Sequence, residues 1–234
     1  AAQDAPASAD ASHDVLGAVT GLRPDDPVCG IRHGREKVAV AMQKNYDVFF
    51  DPQSRGLGLA ERLLVAPGPQ AALAALLGVL AGPGDVVIVE PLTYPGMRAA
   101  AAHLGVRLVP CSVDAEGMIP AELARLCAEH RPKAVYLIPT HQNPTAATMG
   151  AGRRAEVAQT CLAAAVLIVE DDAYGRLPAS PLAALAALTP QNVWHLATTA
   201  KSLTPGLRIA YVAAPDAAAA RRLALALRAT SLML

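Results

Sequence analysis

From Arg62 onward the chain alternates apolar blocks of strand length with Ala- and Leu-rich blocks of helical length, and this alternation constrains the fold more than any other feature. Residues 62–66, 85–90, 106–110, 134–139, 166–170, 193–197 and 208–214 read as strands. Between or after them Gln70–Ala81, Pro95–Leu104, Pro120–Glu129, Gly152–Ala165 and Asp216–Ala229 read as helices, with stops at Gly82-Pro83-Gly84 and Gly105. Strands without polar alternation, separated by helices, require a sheet covered on both faces. The expected class is therefore α/β: a three-layer α/β/α domain with a mainly parallel sheet. Residues 1–60 carry no persistent period; Arg35–Asn45 is their one short helical candidate, and the segment is poorly defined beside a domain at 61–234.

Composition narrows the function classes. Twenty basic residues balance twenty acidic ones, which excludes a strongly basic nucleic-acid surface or an acidic tail as the main feature. Of the 53% hydrophobic residues, many are alanines that add little bulk to a core. The longest uncharged apolar stretch, Gly68–Gly84, is interrupted by Pro69 and Pro83 and cannot span a bilayer as a helix. Cys29, Cys111, Cys127 and Cys161 form neither C-x-x-C nor a zinc spacing; Cys111 and Cys161 lie in or beside apolar blocks, as buried reduced thiols do. Reduced thiols and the lack of a recognisable leader point to a cytoplasmic protein with no membrane partner.

Open α/β sheets bind ligands beyond the carboxyl ends of their strands. That edge collects Pro67-Gly68-Pro69-Gln70 before a helix, Thr140-His141-Gln142-Asn143-Pro144-Thr145, Glu170-Asp171-Asp172-Ala173-Tyr174, and Thr198-Thr199-Ala200-Lys201 with Arg208 downstream. A helix start able to hold an anion, an amide, a carboxylate with a phenol, and a lysine with an arginine thus meet along one edge. Each alone is ordinarily a turn, a cap or a surface charge; their joint order is what carries the reading.

Other readings fail. Gly82-x-Gly84 follows a helix and precedes a strand, the reverse of a dinucleotide-binding turn. No G-x-S-x-G elbow anchors a hydrolase triad, and the six histidines show no metal spacing, so no metal is expected. His195 reads as a core or sheet-face histidine, Met118 and Met149 as loop or core residues, and Arg221-Arg222 as a helix face.

The motifs VAPGPQAAL, GDVVIVEPLTYPG, PTHQNPT, IVEDDAYG and TTAKSLTPGLRIAY, over residues 56–234, resemble the fold-type I pyridoxal-phosphate (PLP) enzymes, the class I/II aminotransferases. HQNPTAATM and Arg153-Arg154 are similar to the aminotransferase-like domain of MocR-type regulators. The resemblance implies a PLP-binding large domain. Lys201 would form the Schiff base with the cofactor and then act as general base. Asp171 would pair with the pyridine nitrogen, with Asp172 as the rival for that role. Tyr174 and Asn143 would bond the ring hydroxyl, Tyr94 would stack on the ring, and Arg208, Thr198 and the Gly68, Pro69 and Gln70 turn would hold the phosphate. Three departures stand out: Pro69 offers no N–H, Ala146 replaces the usual glycine of N-P-T-G, and Ala200 replaces a common serine.

The implied reaction moves an amino group between an amino acid and a 2-oxo acid, in a homodimer. The alternatives are a ligand-sensing PLP domain of a MocR/GntR-type regulator, touching nucleic acid only through a DNA-binding domain not present in this chain, and an inactive fragment. Family members continue into a smaller C-terminal domain bearing an arginine for the substrate carboxylate, which this chain, ending at Leu234, is expected to lack; Arg32, Arg35 and Arg55 are the substitutes to consider.

Overall fold

The computed structural model describes residues 61–202, 204–206 and 208–231, which belong to one compact unit, Glu61–Leu234. The Arg35–Asn45 helix, Cys29 and the arginines at 32, 35 and 55 lie outside the described residues.

Seven strands form the main sheet: β1 (Leu63–Ala66), β2 (Val86–Val89), β3 (Arg107–Pro110), β6 (Ala134–Leu137), β7 (Leu167–Asp171), β8 (Val193–Thr198) and β9 (Ala210–Ala213). Their order is β1-β9-β8-β7-β6-β2-β3, and only β9 runs against its neighbours. The central strands read VVIV, AVYL and VWHLAT and are buried throughout, as strands covered on both faces must be. A two-residue hairpin pair, β4 (Val113–Asp114) and β5 (Gly117–Met118), is a separate element absent from the sequence reading. Its turn requires Gly117 at φ 99°, so no periodicity announces it.

Helices α1 (Pro69–Leu80), α2 (Pro95–Leu104) and α7 (Ala217–Thr230) supply Leu73, Leu76, Met97, Leu223 and Leu227 to one core, with Val87, Tyr136, Val169 and Trp194 of the sheet. On the other face α3 (Pro120–His130), α4 (Ala151–Ala163) and the short α5 (Leu185–Leu188) pack Leu123, Val157, Cys161 and Leu185 against Ile88, Val135, Leu137 and Ile168. The three-layer α/β/α architecture expected from the sequence is therefore present. Local signals set the ends: proline stands in the first turn of α1, α2 and α3, Gly105 closes α2 in the left-handed region, and Asp216 caps α7 by accepting from the Ala219 N–H at 2.7 Å.

Because β9 is antiparallel, its amino end lies beside the carboxyl ends of β1 and β8. Ala210 pairs with both Ala66 and Thr198, which brings Gly68, Arg208 and the Thr198–Lys201 segment to one corner.

Candidate active site

At that corner α1 begins without a side-chain cap. Pro69 has no N–H to offer, so the Gln70 and Ala71 N–H groups are the free donors of the first turn. Gly68 sits at φ 97°, and a Cβ there would stand 3.6 Å from an Arg208 guanidinium nitrogen. The arginine thus lies against the helix start, and uncapped amides beside a guanidinium form an anion cradle. The Thr198 hydroxyl is engaged within the protein: it donates to the Ile209 carbonyl at 2.9 Å and accepts from the Ala200 N–H at 3.1 Å.

β7 delivers its acids by parity. Successive side chains alternate faces, so Asp171 shares a face with Val169, while Glu170 and Asp172 belong to the other. Val169 lies opposite Tyr136 in the register, and the Tyr136 hydroxyl donates to Asp171 Oδ2 at 2.7 Å. Asp171 Oδ1 is buried and has no hydrogen-bond partner among the described residues. Burial pushes the Asp171 carboxyl up to about 6, against the Tyr136 hydrogen bond that lowers it.

On the opposite face His195 Nε2 lies 3.2 Å from Asp172 Oδ2. Burial alone would lower the His195 pKa, but the Asp172 contact and the neighbouring carboxylates raise it on balance. Glu170 accepts from the Leu185 and Ala186 N–H groups of α5. The two aspartates therefore have different partners: each keeps one buried oxygen without a hydrogen-bond partner among the described residues, but Asp172 faces His195 while Asp171 lies on the face of Tyr136.

The loop carrying Asn143 is fixed from several sides. Gln142 donates to Glu90 Oε2 and the Leu92 carbonyl, while its own oxygen accepts from the Thr145 N–H and hydroxyl. Glu90 also accepts from the Ile138 N–H, lines a cleft of about 400 Å³, and is pushed by burial up to about 7. Arg154, 1% exposed, donates to the carbonyls of Met149, Pro139 and Ala183 and to the Thr140 hydroxyl. Arg153 grips Asp114 with two bonds of 2.9 Å and so ties the β4–β5 hairpin to α4. The Arg-Arg pair thus acts as two clamps, one on each loop. Asn143 itself is half-buried, and Ala146 adopts φ 59°, the left-handed conformation that a glycine would take more easily.

Lys201 lies on the one-turn α6 (Thr199–Ser202), exposed, with Nζ 5.7 Å from the centroid of the Tyr174 ring. Tyr94 precedes α2 and packs with Gln70 over Gly96; a Cβ on Gly96 would overlap both the Gln70 amide and the Tyr94 ring. A bond from Gln70 Nε2 to the Gly96 carbonyl at 3.0 Å closes the contact. The fold thereby gathers the candidates into three groups: Gly68, Pro69 and Arg208 with Thr198 nearby; Gln70 with Tyr94; and Lys201 with Tyr174. Asp171 ends β7, and Asn143 lies in the loop that follows the adjacent strand β6.

Sequence reasoning missed Tyr136, Glu90, Gln142, Arg154 and the His195–Asp172 contact as supports of this site. A tyrosine inside an otherwise aliphatic strand and an acid closing VVIV were the available signals for the first two. Among the described residues no His/Cys/Asp/Glu group could hold a metal ion, and no helix is long and apolar enough to cross a membrane. Cys111, Cys127 and Cys161 are buried free thiols, each with a raised pKa caused first by burial.

Comparison with known proteins bears on these groups. A family model described as aminotransferase class I and II matches residues 38–232. An uncharacterized HTH-type transcriptional regulator of Bacillus subtilis, YdeF, is 41% identical over 155 residues, covering 66% of this chain and 34% of the regulator. An aromatic amino acid aminotransferase of Dictyostelium discoideum is 34% identical over 142 residues, covering 57% of this chain and 29% of that protein. The crystal structure of the α-aminoadipate aminotransferase LysN from Thermus thermophilus, complexed with N-(5'-phosphopyridoxyl)-L-leucine, superposes with a TM-score of 0.71 at 26% identity, covering 85% of this chain and 56% of that one. The chain spans about a third of the length of these two curated relatives.

Proposed function

The chain belongs to the class I and II aminotransferase family, with pyridoxal 5'-phosphate as the cofactor, and from that premise we propose that it forms the cofactor-binding half of an aminotransferase site. Such a site moves an amino group between an amino acid and a 2-oxo acid. The observation that carries the reading is Asp171 Oδ1, a buried acceptor without a partner at the edge that also bears Lys201. A cofactor with a protonated ring nitrogen supplies the missing donor, and its phosphate suits the uncapped start of α1 beside Arg208. The residues present therefore fit the group.

When bound, the cofactor supplies an electron sink for the bond broken at the substrate carbon. Lys201 would hold the cofactor through its ε-amine and, once released, move a proton at that carbon. Asp171 would keep a proton on the ring nitrogen, with Tyr94 covering the ring and Tyr174 and Asn143 bonding its hydroxyl oxygen. Gln70, Thr198 and Arg208 would fix the phosphate, Thr198 by turning its hydroxyl from the Ile209 carbonyl. The active unit is proposed as a homodimer in the cytoplasm.

A second reading is favoured by the 41% identity to an HTH-type regulator. In it the same pocket holds the cofactor as a ligand sensor with little turnover, and DNA contact belongs to a separate domain. Both readings require the cofactor on Lys201. Borohydride reduction of the protein mixed with PLP, followed by peptide mapping, should place the label at Lys201. Label at another lysine, or none on folded protein, would sink both. Conversion of amino acids by the loaded protein then separates enzyme from sensor.

A further inference from the structure

Tyr136 lies on β6, not on the strand that carries the carboxyl it touches, and its position is set by register. It stands opposite Val169, two residues before Asp171 on the same face, so its ring reaches diagonally to the end of β7. The residue is 0% exposed and gives the single side-chain hydrogen bond received by Asp171 among the described residues. That bond occupies Oδ2 and leaves Oδ1 as the open acceptor.

Apart from the Ala173 N–H and His195, which favour it, the surroundings of Asp171 oppose a charge there. Glu90 faces it from the end of β2, Asp172 follows it on its own strand, and His195 of β8 is the counteracting cation on the far face. Burial first, and then the neighbouring Asp172 carboxyl, push Asp171 toward the protonated form. A protonated carboxyl presents an O–H or a weak acceptor and cannot hold a second proton on an aromatic nitrogen. The Tyr136 hydroxyl cannot itself surrender its proton, because burial and then Asp171 and Glu90 raise its pKa well above the ordinary value. It is a permanent donor to one oxygen.

We propose that Tyr136 is a positioning residue for the cofactor: by donating to Asp171 Oδ2 it keeps that carboxyl ionised and aims Oδ1 at the ring nitrogen, so that Tyr136 sets how firmly the nitrogen keeps its proton. The inference rests on the pairing of Asp171 with the cofactor nitrogen advanced above. A hydrogen bond to an ionised acceptor corresponds to about a 10- to 100-fold shift in an equilibrium. Removing it should therefore lower the titration midpoint of the ring nitrogen by about one to two pH units. Affinity for the cofactor should weaken by a similar factor.

The test loads the full chain with PLP carrying 15N in its ring and follows the nitrogen resonance against pH, with the dissociation constant measured alongside. In Tyr136→Phe, which keeps the ring and removes only the hydroxyl, the midpoint should fall and the dissociation constant rise about 10- to 100-fold. Asp171→Asn serves as the reference and should leave the nitrogen unprotonated. If Asp171→Asn moves the resonance and Tyr136→Phe does not, the role of Tyr136 is overturned while the Asp171 pairing stands. If neither moves it, the pairing itself fails and the inference with it. Should Tyr136→Phe not fold, 3-fluorotyrosine placed at 136 keeps the size and strengthens the donor, and the midpoint should then rise; an unmoved midpoint overturns the proposal. A packing role alone would shift the unfolding temperature but not the nitrogen titration.

Discussion

Replacing Glu90 by glutamine should make the cofactor-free protein more stable at pH 8 and leave it unchanged near pH 4.5. Glu90 is 3% exposed, and burial raises its carboxyl from 4.5 to about 7. The sign follows from linkage. A carboxyl that binds its proton more tightly when folded adds stability below its unfolded value, and this is lost as pH rises through the folded one. A separation of about 2.5 pH units, at about 1.4 kcal/mol each, corresponds to about 3 kcal/mol lost between pH 4.5 and 7. Glutamine retains an oxygen that can accept from both the Ile138 N–H and Gln142 Nε2, the two bonds Glu90 makes. The charge is what the substitution removes, and the new amide nitrogen faces the cleft that Glu90 lines. Urea unfolding of both proteins from pH 4.5 to 8 should show curves that meet at the acid end and diverge by about 3 kcal/mol at the alkaline end, or about 6–12 °C in Tm for a chain of this size. Asp171 and Glu170 titrate in both proteins, so the difference curve reports Glu90 together with its coupling to Asp171. Parallel curves, or a glutamine variant less stable at pH 8, would refute the reasoning.

Three further substitutions separate roles. Asp171→Ala should weaken PLP binding by at least ~100-fold, since a buried carboxylate loses about 3–5 kcal/mol of pairing, whereas Asp172→Ala should change it by less than about tenfold and lower thermal stability by leaving buried His195 without its 3.2 Å contact; equal losses of affinity in an equilibrium titration would mean the parity argument is wrong. Arg154→Ala should destabilise the fold by about 2–5 kcal/mol in urea unfolding, because it takes the guanidinium donor from the Met149 and Ala183 carbonyls and removes a charge 4.0 Å from buried Glu170, and a loss under about 1 kcal/mol would show that the loop needs no clamp.

The layers of the fold were legible because buried parallel strands and amphipathic helices write themselves in periodicity. VVIV, AVYL and the Ala/Leu helices all lie within a residue or two of the spans expected. The β4–β5 hairpin, α5 and α6 were not legible, since elements of two to four residues contain too few positions for any period. The acid proposed for the site, Asp171, is picked out in the sequence by the strand-end rule and by its spacing of three residues before Tyr174 in the resembled family; alternation along β7 then places Asp172 on the other face. Ala146 was recognisable as a departure, and its φ of 59° shows what the departure entails: a turn that wants glycine is held by Gln142, which accepts from its N–H at 2.6 Å through the main chain.

What the chain order hides is support across strands. Tyr136 and Asp171 are separated by 35 positions, and Glu90 and Gln142 by 52, so neither pair forms a spacing that could be read as a motif. Their contacts exist because β6 enters the sheet between β2 and β7, a consequence of strand order and register. Once that order is known, each buried acid has a predictable fate. An acid at a strand end on one face meets a donor from the neighbouring strand, as Asp171 meets Tyr136. One residue earlier or later it lies on the other face, where Glu170 meets the start of α5 and Asp172 meets His195 of β8. The chemistry of this edge therefore depends on a parity that a single-residue slip of β7 would invert, exchanging the Tyr136-bonded carboxyl of Asp171 for one that faces His195.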